Sequence, residues 1–258
     1  MKIVSYNVNG IKARLPRLIE YLDAEKPDVV CLQELKSSDE TFPERDIRDA
    51  GYGAVWHGQK GFNGVAILTR GGDPKERRRG LDGDPDDTHS RYLEAEVDGL
   101  IVASIYLPNG NPLPGPKFDY KIAWFDRLLD RAATLLAEER PVVLAGDYNV
   151  IPNDDDVFSV GAMGSDALMQ PESRAAYRRL LAQGWTDSLR TRFPGGGVWT
   201  FWDYQAGAWQ RDCGFRIDHL LLSPQAADRF GDAGVDKSWR GLEKASDHAP
   251  TWVRLRQG

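Results

Sequence analysis

The sequence predicts a layered α/β fold in which two packed β-sheets carry helices on their outer faces. Three observations predict it. Short β-rich runs recur along all 258 residues and need partners on more than one face. Amphipathic helical stretches are interspersed among them. No repeat or linker-like segment divides the chain, so one domain over residues 1–258 is expected.

The chain opens on a β-rich run at residues 2–8. Leu15, Leu18, Ile19 and Leu22 then fall at helical spacing, with Pro16 suited to a first turn and Lys26-Pro27 as the stop. Residues 28–33 read as a buried strand followed by Glu34. Further strands are expected at 52–56, 64–69, 91–97 and 100–107. The charged run 75–79 and the stretch 82–87 read as loops. Phe118, Ile122, Phe125, Leu129, Ala132 and Leu136 mark one face of a long helix. Residues 141–145 form a buried strand that ends in Gly146-Asp147, and a further helix spans about 172–183. The last third holds an aromatic hairpin, a strand within 215–223 and a closing strand at 251–255.

Composition narrows the class. An apolar fraction of 41% with 28% charge is ordinary for a globular protein. No run approaches the roughly 20 apolar residues of a membrane span. The first residues, Met1 to Asn7, lack the apolar core of a signal peptide. Two cysteines, Cys31 and Cys213, make no disulfide framework, so a reducing cytoplasm is expected. A net charge of −6 counts against strong non-specific nucleic-acid binding. A carboxylate cluster built for a divalent metal would contribute to that total. Basic residues gathered on one face could still serve nucleic acid, with Lys12, Arg14, Arg17, Arg174, Arg178, Arg179, Arg211 and Arg216 as candidates.

Polar residues recur at strand ends: Asn7, Glu34, Tyr106, Asn109, Asp147, Asn149, Asp218, His219 and the Ser246-Asp247-His248 triplet. A rigid sheet holds such groups in fixed geometry. Singly, each also fits a turn, a cap or a structural pair. Together they suit metal-assisted phosphodiester hydrolysis. Mg²⁺ takes oxygen ligands, and Glu34 and Asp247 can supply them. Asp147 can accept a proton from attacking water, and Asn149 can orient that water. His248 can donate to the developing charge while Asp218 holds its other ring nitrogen. Tyr106 can contact the phosphate or supply a proton. There is no Cys/His zinc spacing and no Gly-x-x-x-x-Gly-Lys loop, which disfavours ATP-driven phosphoryl transfer.

The stretch from Trp199 to His219 packs aromatic faces, an Arg and a carboxylate together. Core filling and a lining for bases or a base-free sugar are both open readings.

With Ser5-Tyr6-Asn7-Val8-Asn9-Gly10, Cys31-Leu32-Gln33-Glu34-Leu35-Lys36, Tyr106-Leu107-Pro108-Asn109-Gly110, Gly146-Asp147-Tyr148-Asn149-Val150, Thr200-Phe201-Trp202-Asp203-Tyr204, Gly214 to His219 and Ser246 to Pro250 in this order, the chain resembles the exonuclease III family of apurinic/apyrimidinic endonucleases, bacterial type. The resemblance implies a four-layered α/β-sandwich of the deoxyribonuclease I-like kind. It implies a Mg²⁺-dependent DNA repair nuclease, with Mn²⁺ as a substitute, that cuts duplex DNA 5′ to abasic sites. It also implies 3′→5′ exonuclease and 3′-end cleaning activity. Glu34 becomes the principal metal ligand, with Asn7 and Asp247 nearby, and a further metal position is implied among Asp147, Asn149 and His248. Asn109, Phe201, Phe215 and Ile217 become substrate contacts, with Trp202 supporting them. Phe215 stands where Trp is frequent in the family, and the Pro-rich loop 111–116 offers no Arg wedge. A monomer and no membrane association are expected. Inositol-polyphosphate phosphatases and sphingomyelinases share a similar residue set, but the aromatic stretch favours nucleic acid over them. A DNA-binding module without catalysis would not need all six of Glu34, Asp147, Asn149, Asp218, Asp247 and His248.

Overall fold

The computed structural model describes residues 1–256. The strands are β1 (Lys2–Asn7), β2 (Val29–Gln33), β3 (Tyr52–His57), β4 (Val65–Arg70), β5 (Lys75–Arg79), β6 (Tyr92–Val97), β7 (Leu100–Tyr106), β8 (Val142–Asp147), β9 (Thr186–Asp187), β10 (Asp218–Leu222), β11 (Phe230–Val235) and β12 (Thr251–Leu255). The helices are α1 (Ile11–Glu25), α2 (Glu44–Asp49), α3 (Pro116–Ala137), α4 (Val160–Met163), α5 (Pro171–Ala182), α6 (Ser188–Arg192) and α7 (Pro224–Ala227). Among the described residues the strands form two six-stranded sheets, ordered β11-β12-β1-β2-β4-β3 and β5-β6-β7-β8-β10-β9.

Alternation along the strands builds three apolar layers. Ile3, Val29, Cys31, Val65 and Ile67 of the first sheet face Leu93, Val102, Val143, Leu220 and Leu222 of the second. Their neighbours Val4, Val30, Leu32 and Leu68 point outward onto Leu18 and Leu22 of α1. Ile101, Ala103 and Leu144 point outward onto Trp124, Phe125, Leu128 and Tyr177 of α3 and α5. Central strands are therefore covered on both faces, and β1, β2 and β8 are buried at every position. Each buried Val, Leu or Ile contributes about 1.5–3 kcal/mol relative to exposure. The result is the expected four-layered α/β-sandwich.

Three expectations change. Pro16 lies inside α1, because the helix begins at Ile11 rather than near Leu15. The charged run at 75–79 is an edge strand, β5, paired antiparallel with β6. Its charge is matched locally: Arg77 bonds buried Glu94 and also Glu138, and Arg79 bonds Glu76. Charged edge strands of this kind resist unwanted pairing. The aromatic stretch is not a regular hairpin; Phe201 makes isolated bridges to Phe215 and to His248. That ties the aromatic segment to both sheets' site ends.

Strand direction gathers the polar residues. β1 and β2 run parallel in one sheet, and β7 and β8 run parallel in the other. Their C-terminal ends carry Asn7, Glu34, Tyr106 and Asp147. β10 and β12 run antiparallel to β8 and β1, so their starts lie at that same end with Asp218 and His248. Gly146 lets β7 and β8 approach closely there, since a Cβ on it would stand 2.1 Å from the Ile105 carbonyl oxygen.

Candidate active site

A cavity of about 510 Å³ opens at this end of the sandwich. Glu34, Tyr106, Asn109, Asp147, Asn149, Asp247 and His248 are among the residues that line it. Side-chain hydrogen bonds join the two sheets beneath it. Tyr106 Oη donates to Glu34 Oε1 at 2.7 Å. Asn7 Nδ2 donates to Glu34 Oε1 at 3.1 Å and to Asp147 Oδ2 at 3.0 Å. His248 Nε2 lies 3.7 Å from Asp147 Oδ2, and its Nδ1 lies 2.8 Å from Asp218 Oδ2. The Asn149 main-chain N–H donates to Asp147 Oδ1 at 2.9 Å, and Asn109 Nδ2 donates to Asn149 Oδ1 at 3.0 Å. Asp247 Oδ1 accepts from Asn9 Nδ2 at 3.1 Å.

These contacts set protonation states. Burial pushes the Asp147 carboxyl up, with Asp218 and Glu34 adding to the rise against the pull of His248. Burial alone would neutralise His248, but the Asp218 charge and hydrogen bond outweigh it and hold the ring up at about 10. Glu34 is desolvated, yet the Tyr106 hydroxyl and the Lys36 ammonium hold its carboxylate below the usual range. Burial and the Glu34 charge push Tyr106 well up, so its phenol keeps its proton. The site thus pairs a carboxyl that takes a proton readily with an imidazolium that gives one up reluctantly. That division suits acid–base and electrostatic roles.

The donor set suits a hard cation. Glu34, Asp247 and Asn9 offer oxygen atoms, and a positive charge already sits among them: Lys36 Nζ lies 2.9 Å from Glu34 Oε2 and 2.5 Å from Asn9 Oδ1. Asp218 Oδ1, behind His248, is buried without a hydrogen-bond partner.

The sequence matches the Endonuclease/Exonuclease/phosphatase family over residues 4–248. The chain belongs to this family. Exodeoxyribonuclease III of Haemophilus influenzae is 35% identical over 269 aligned residues, covering 99% of this chain and 100% of the relative. An AP endonuclease from Archaeoglobus fulgidus superposes with a TM-score of 0.94 at 36% identity, covering 99% of each chain. A 3′ phosphatase from Neisseria, solved bound to a product DNA hairpin, superposes with a TM-score of 0.96 at 37% identity over 100% of each chain. The deoxyribonuclease I-like sandwich and the exonuclease III-type membership expected from the motifs both hold. Nucleases of this type are metal-dependent.

In this family member the cavity also has an apolar wall. Phe201, Phe215, Ile217, Leu168, Phe158 and Met163 line it. The Phe201 and Phe215 rings are tilted with centroids 4.6 Å apart, and Phe201 meets the His248 ring edge-on at 5.0 Å. The Thr200 hydroxyl accepts from the Ile217 and Asp218 N–H groups, both at 3.1 Å, which anchors this wall to the His248 partner.

Several expected residues sit elsewhere or face otherwise. Trp202 does not reach the cavity; it is fully buried behind it and donates Nε1–H to Asp212 at 2.8 Å. Asn7 presents its amide nitrogen to the carboxylates, while its oxygen accepts from the Asn9 N–H at 2.9 Å. Arg216 is no surface cation. It is buried between Asp156 and Asp187, each 2.7 Å away, and its own neighbour His219 is held neutral with a pKa down at about 4 by burial and by Arg216. Arg174 and Arg179 are paired with Asp154 and Asp126.

Other neighbours of the site were not foreseen: Asn9, Lys36, Phe158, Met163 and Lys121. Asn9 and Lys36 lie inside quoted motifs, two residues beyond Asn7 and Glu34, so their positions were readable. Phe158 and Met163 come from the segment around α4 and carry no signal beyond being apolar. Lys121 is a charge on a helix and reads as solvated, yet burial pushes its amine down to about 7.

Proposed function

We propose that the protein is a DNA repair nuclease that hydrolyses the phosphodiester 5′ to an abasic site in duplex DNA and also trims 3′ ends. The reading rests on one observation above the others: the His248–Asp218 pair stands beside a readily protonated Asp147, 3.7 Å from His248 Nε2, in a cavity lined by both carboxylates and aromatic rings.

Asp147 takes the proton of the attacking water, and Asn149 fixes the direction of that carboxylate through its N–H. His248, held charged by Asp218, donates from Nε2 to the phosphoryl oxygens as negative charge builds. An imidazolium has no free lone pair, so His248 acts as a donor rather than a metal ligand. Glu34 would hold the metal with Asp247 and Asn9 close by, and Tyr106 and Asn7 keep the Glu34 carboxylate in place. In this reading the ion would be Mg²⁺, with Mn²⁺ able to replace it, and when bound it would supply Lewis-acid polarisation of the phosphate and of the leaving oxygen. Asn109 binds the flanking phosphate, and Phe201, Phe215 and Ile217 receive the base-free sugar. Extrusion there costs little stacking because the base is already gone.

The partner is double-stranded DNA with abasic sites or 3′ ends. The protein works as a single-domain monomer in the cytoplasm, in keeping with free Cys31 and Cys213. No helix among the described residues is long and apolar enough to cross a membrane.

The test is one assay on two matched duplexes, one with a central abasic site and one with a recessed 3′ end, across Mg²⁺ concentrations. Nicking 5′ to the lesion with a 3′-hydroxyl product, lost in EDTA and restored by Mg²⁺, is expected. Inertness on both duplexes, or full activity in chelator, would overturn the reading.

A further inference from the structure

The reaction scheme leaves a buried amine beside the cavity unused. Lys121 projects from the start of α3 and is 0% exposed. An amine removed from water needs partners, and its two are main-chain carbonyls rather than carboxylates. Nζ donates to the Asn109 carbonyl at 3.0 Å and to the Asn149 carbonyl at 2.5 Å. These residues sit in the two loops that leave the parallel strands β7 and β8, and both line the cavity.

The same two residues are joined through their side chains, and Asn149 Nδ2 also donates to the Leu107 carbonyl at 2.9 Å. Asn149 has φ 47°, in the left-handed region that asparagine adopts more readily than most residues. Its N–H is bonded to Asp147 Oδ1 and its carbonyl to Lys121. Asn149 is therefore clamped on both sides, with Asp147 at one end and the ammonium at the other. Gly110 keeps the channel for the lysine open: a Cβ there would stand 2.6 Å from Lys121 Cδ.

We propose that Lys121 is a positioning residue of the phosphodiester reaction, acting through the main chain of Asn109 and Asn149; this rests on the nuclease reading given above. Without the Lys121 amine, the Asn149 peptide is free to turn and carries its side chain off the position from which it orients the attacking water. A misplacement of about 1 Å at a reacting group costs on the order of 100-fold in rate. The alternative is that Lys121 only fastens α3 to the second sheet, in which case stability alone changes.

The experiment compares wild type, Lys121→Met, Lys121→Gln, Asn149→Ala and the Lys121→Met/Asn149→Ala double variant on the abasic duplex at saturating Mg²⁺. Melting temperature is measured for each. Lys121→Met is expected to lower kcat about 30-fold while KM changes less than about threefold. Lys121→Gln, which keeps one neutral donor and serves if the Met variant does not fold, is expected to lose about tenfold. In the Asn149→Ala background the Lys121→Met change is expected to cost less than about threefold, because the side chain it aims is already gone. A kcat within about threefold of wild type in the folded lysine variants overturns the proposal, as does an undiminished loss in the Asn149→Ala background. Those results leave the nuclease reading intact. A wild type that incises neither duplex overturns the reading and the proposal together.

Discussion

Replacing Asp218 by Asn isolates the charge that keeps His248 protonated. Asp218 Oδ2 is 2.8 Å from His248 Nδ1, and both residues are buried. Burial disfavours the imidazolium, yet the ring is held up at about 10, with Asp218 as the main opposing influence. Two unit charges about 3–4 Å apart attract by roughly 4–5 kcal/mol at an effective dielectric of about 20. That corresponds to about 3 pKa units. Asn keeps the shape and an acceptor oxygen but removes the charge, while Asp147 and Asp247 remain. The His248 pKa should therefore fall by about 2–3 units. In the wild type, turnover rises from acid toward neutral pH as Asp147 loses its raised proton. It then holds until His248 loses its own near 10. In Asp218→Asn the alkaline limb moves down, so turnover at about pH 9 should be roughly 30-fold below its own neutral maximum. A pH profile of kcat, with NMR titration of the His248 ring, measures both quantities. An alkaline limb and ring pKa that stay where the wild type has them would refute the argument.

Two further outcomes follow from the walls of the site. Phe215→Ala should reduce abasic incision about tenfold more than 3′-end trimming, since Phe215 lines the apolar wall that receives the extruded sugar. Equal losses on the two duplexes would make it a packing residue only. Arg216→Met leaves buried Asp187 without a cationic partner and Asp156 with Arg190 alone, and should cost about 3–5 kcal/mol. A thermal melt should show a drop on the order of 10 °C for a chain of this size, and an unchanged melting temperature would show that the cluster contributes nothing.

The parts of the fold readable in the sequence are those whose burial is continuous. β2, β7 and β8 sit between a sheet and helices, so they appear as unbroken apolar runs that end in a polar residue. Glu34, Tyr106 and Asp147 could be located for that reason. β5 could not, because it is charged at all five positions: Arg77 is matched by Glu94 and Glu138 from elsewhere in the fold, while Arg79 pairs with Glu76 of the same strand and Arg78 with nearby Asp82. β11 carries Gly and Asp within Phe-Gly-Asp-Ala-Gly-Val and takes its structure from pairing with β12. Trp202 and Phe201 are adjacent aromatics with opposite fates, one buried beside Trp209 and one facing the cavity. Composition does not distinguish them; the bridges of Phe201 to Phe215 and His248 do. Arg216 and Lys121 were hidden in the same way. A charge reads as solvated until the partners that bury it, Asp187 in one case and two loop carbonyls in the other, are folded against it.

The central claim is that Asp147 removes the proton from the water that attacks the phosphate. Asp147→Asn tests it directly, because the amide keeps the shape and can still accept from the Asn149 N–H while losing basicity. Single-turnover incision and equilibrium binding are measured on one abasic duplex at saturating Mg²⁺. The account predicts a loss of at least about 1,000-fold in the rate of incision with DNA affinity within about threefold of wild type. Incision by the variant at the wild-type rate would contradict it.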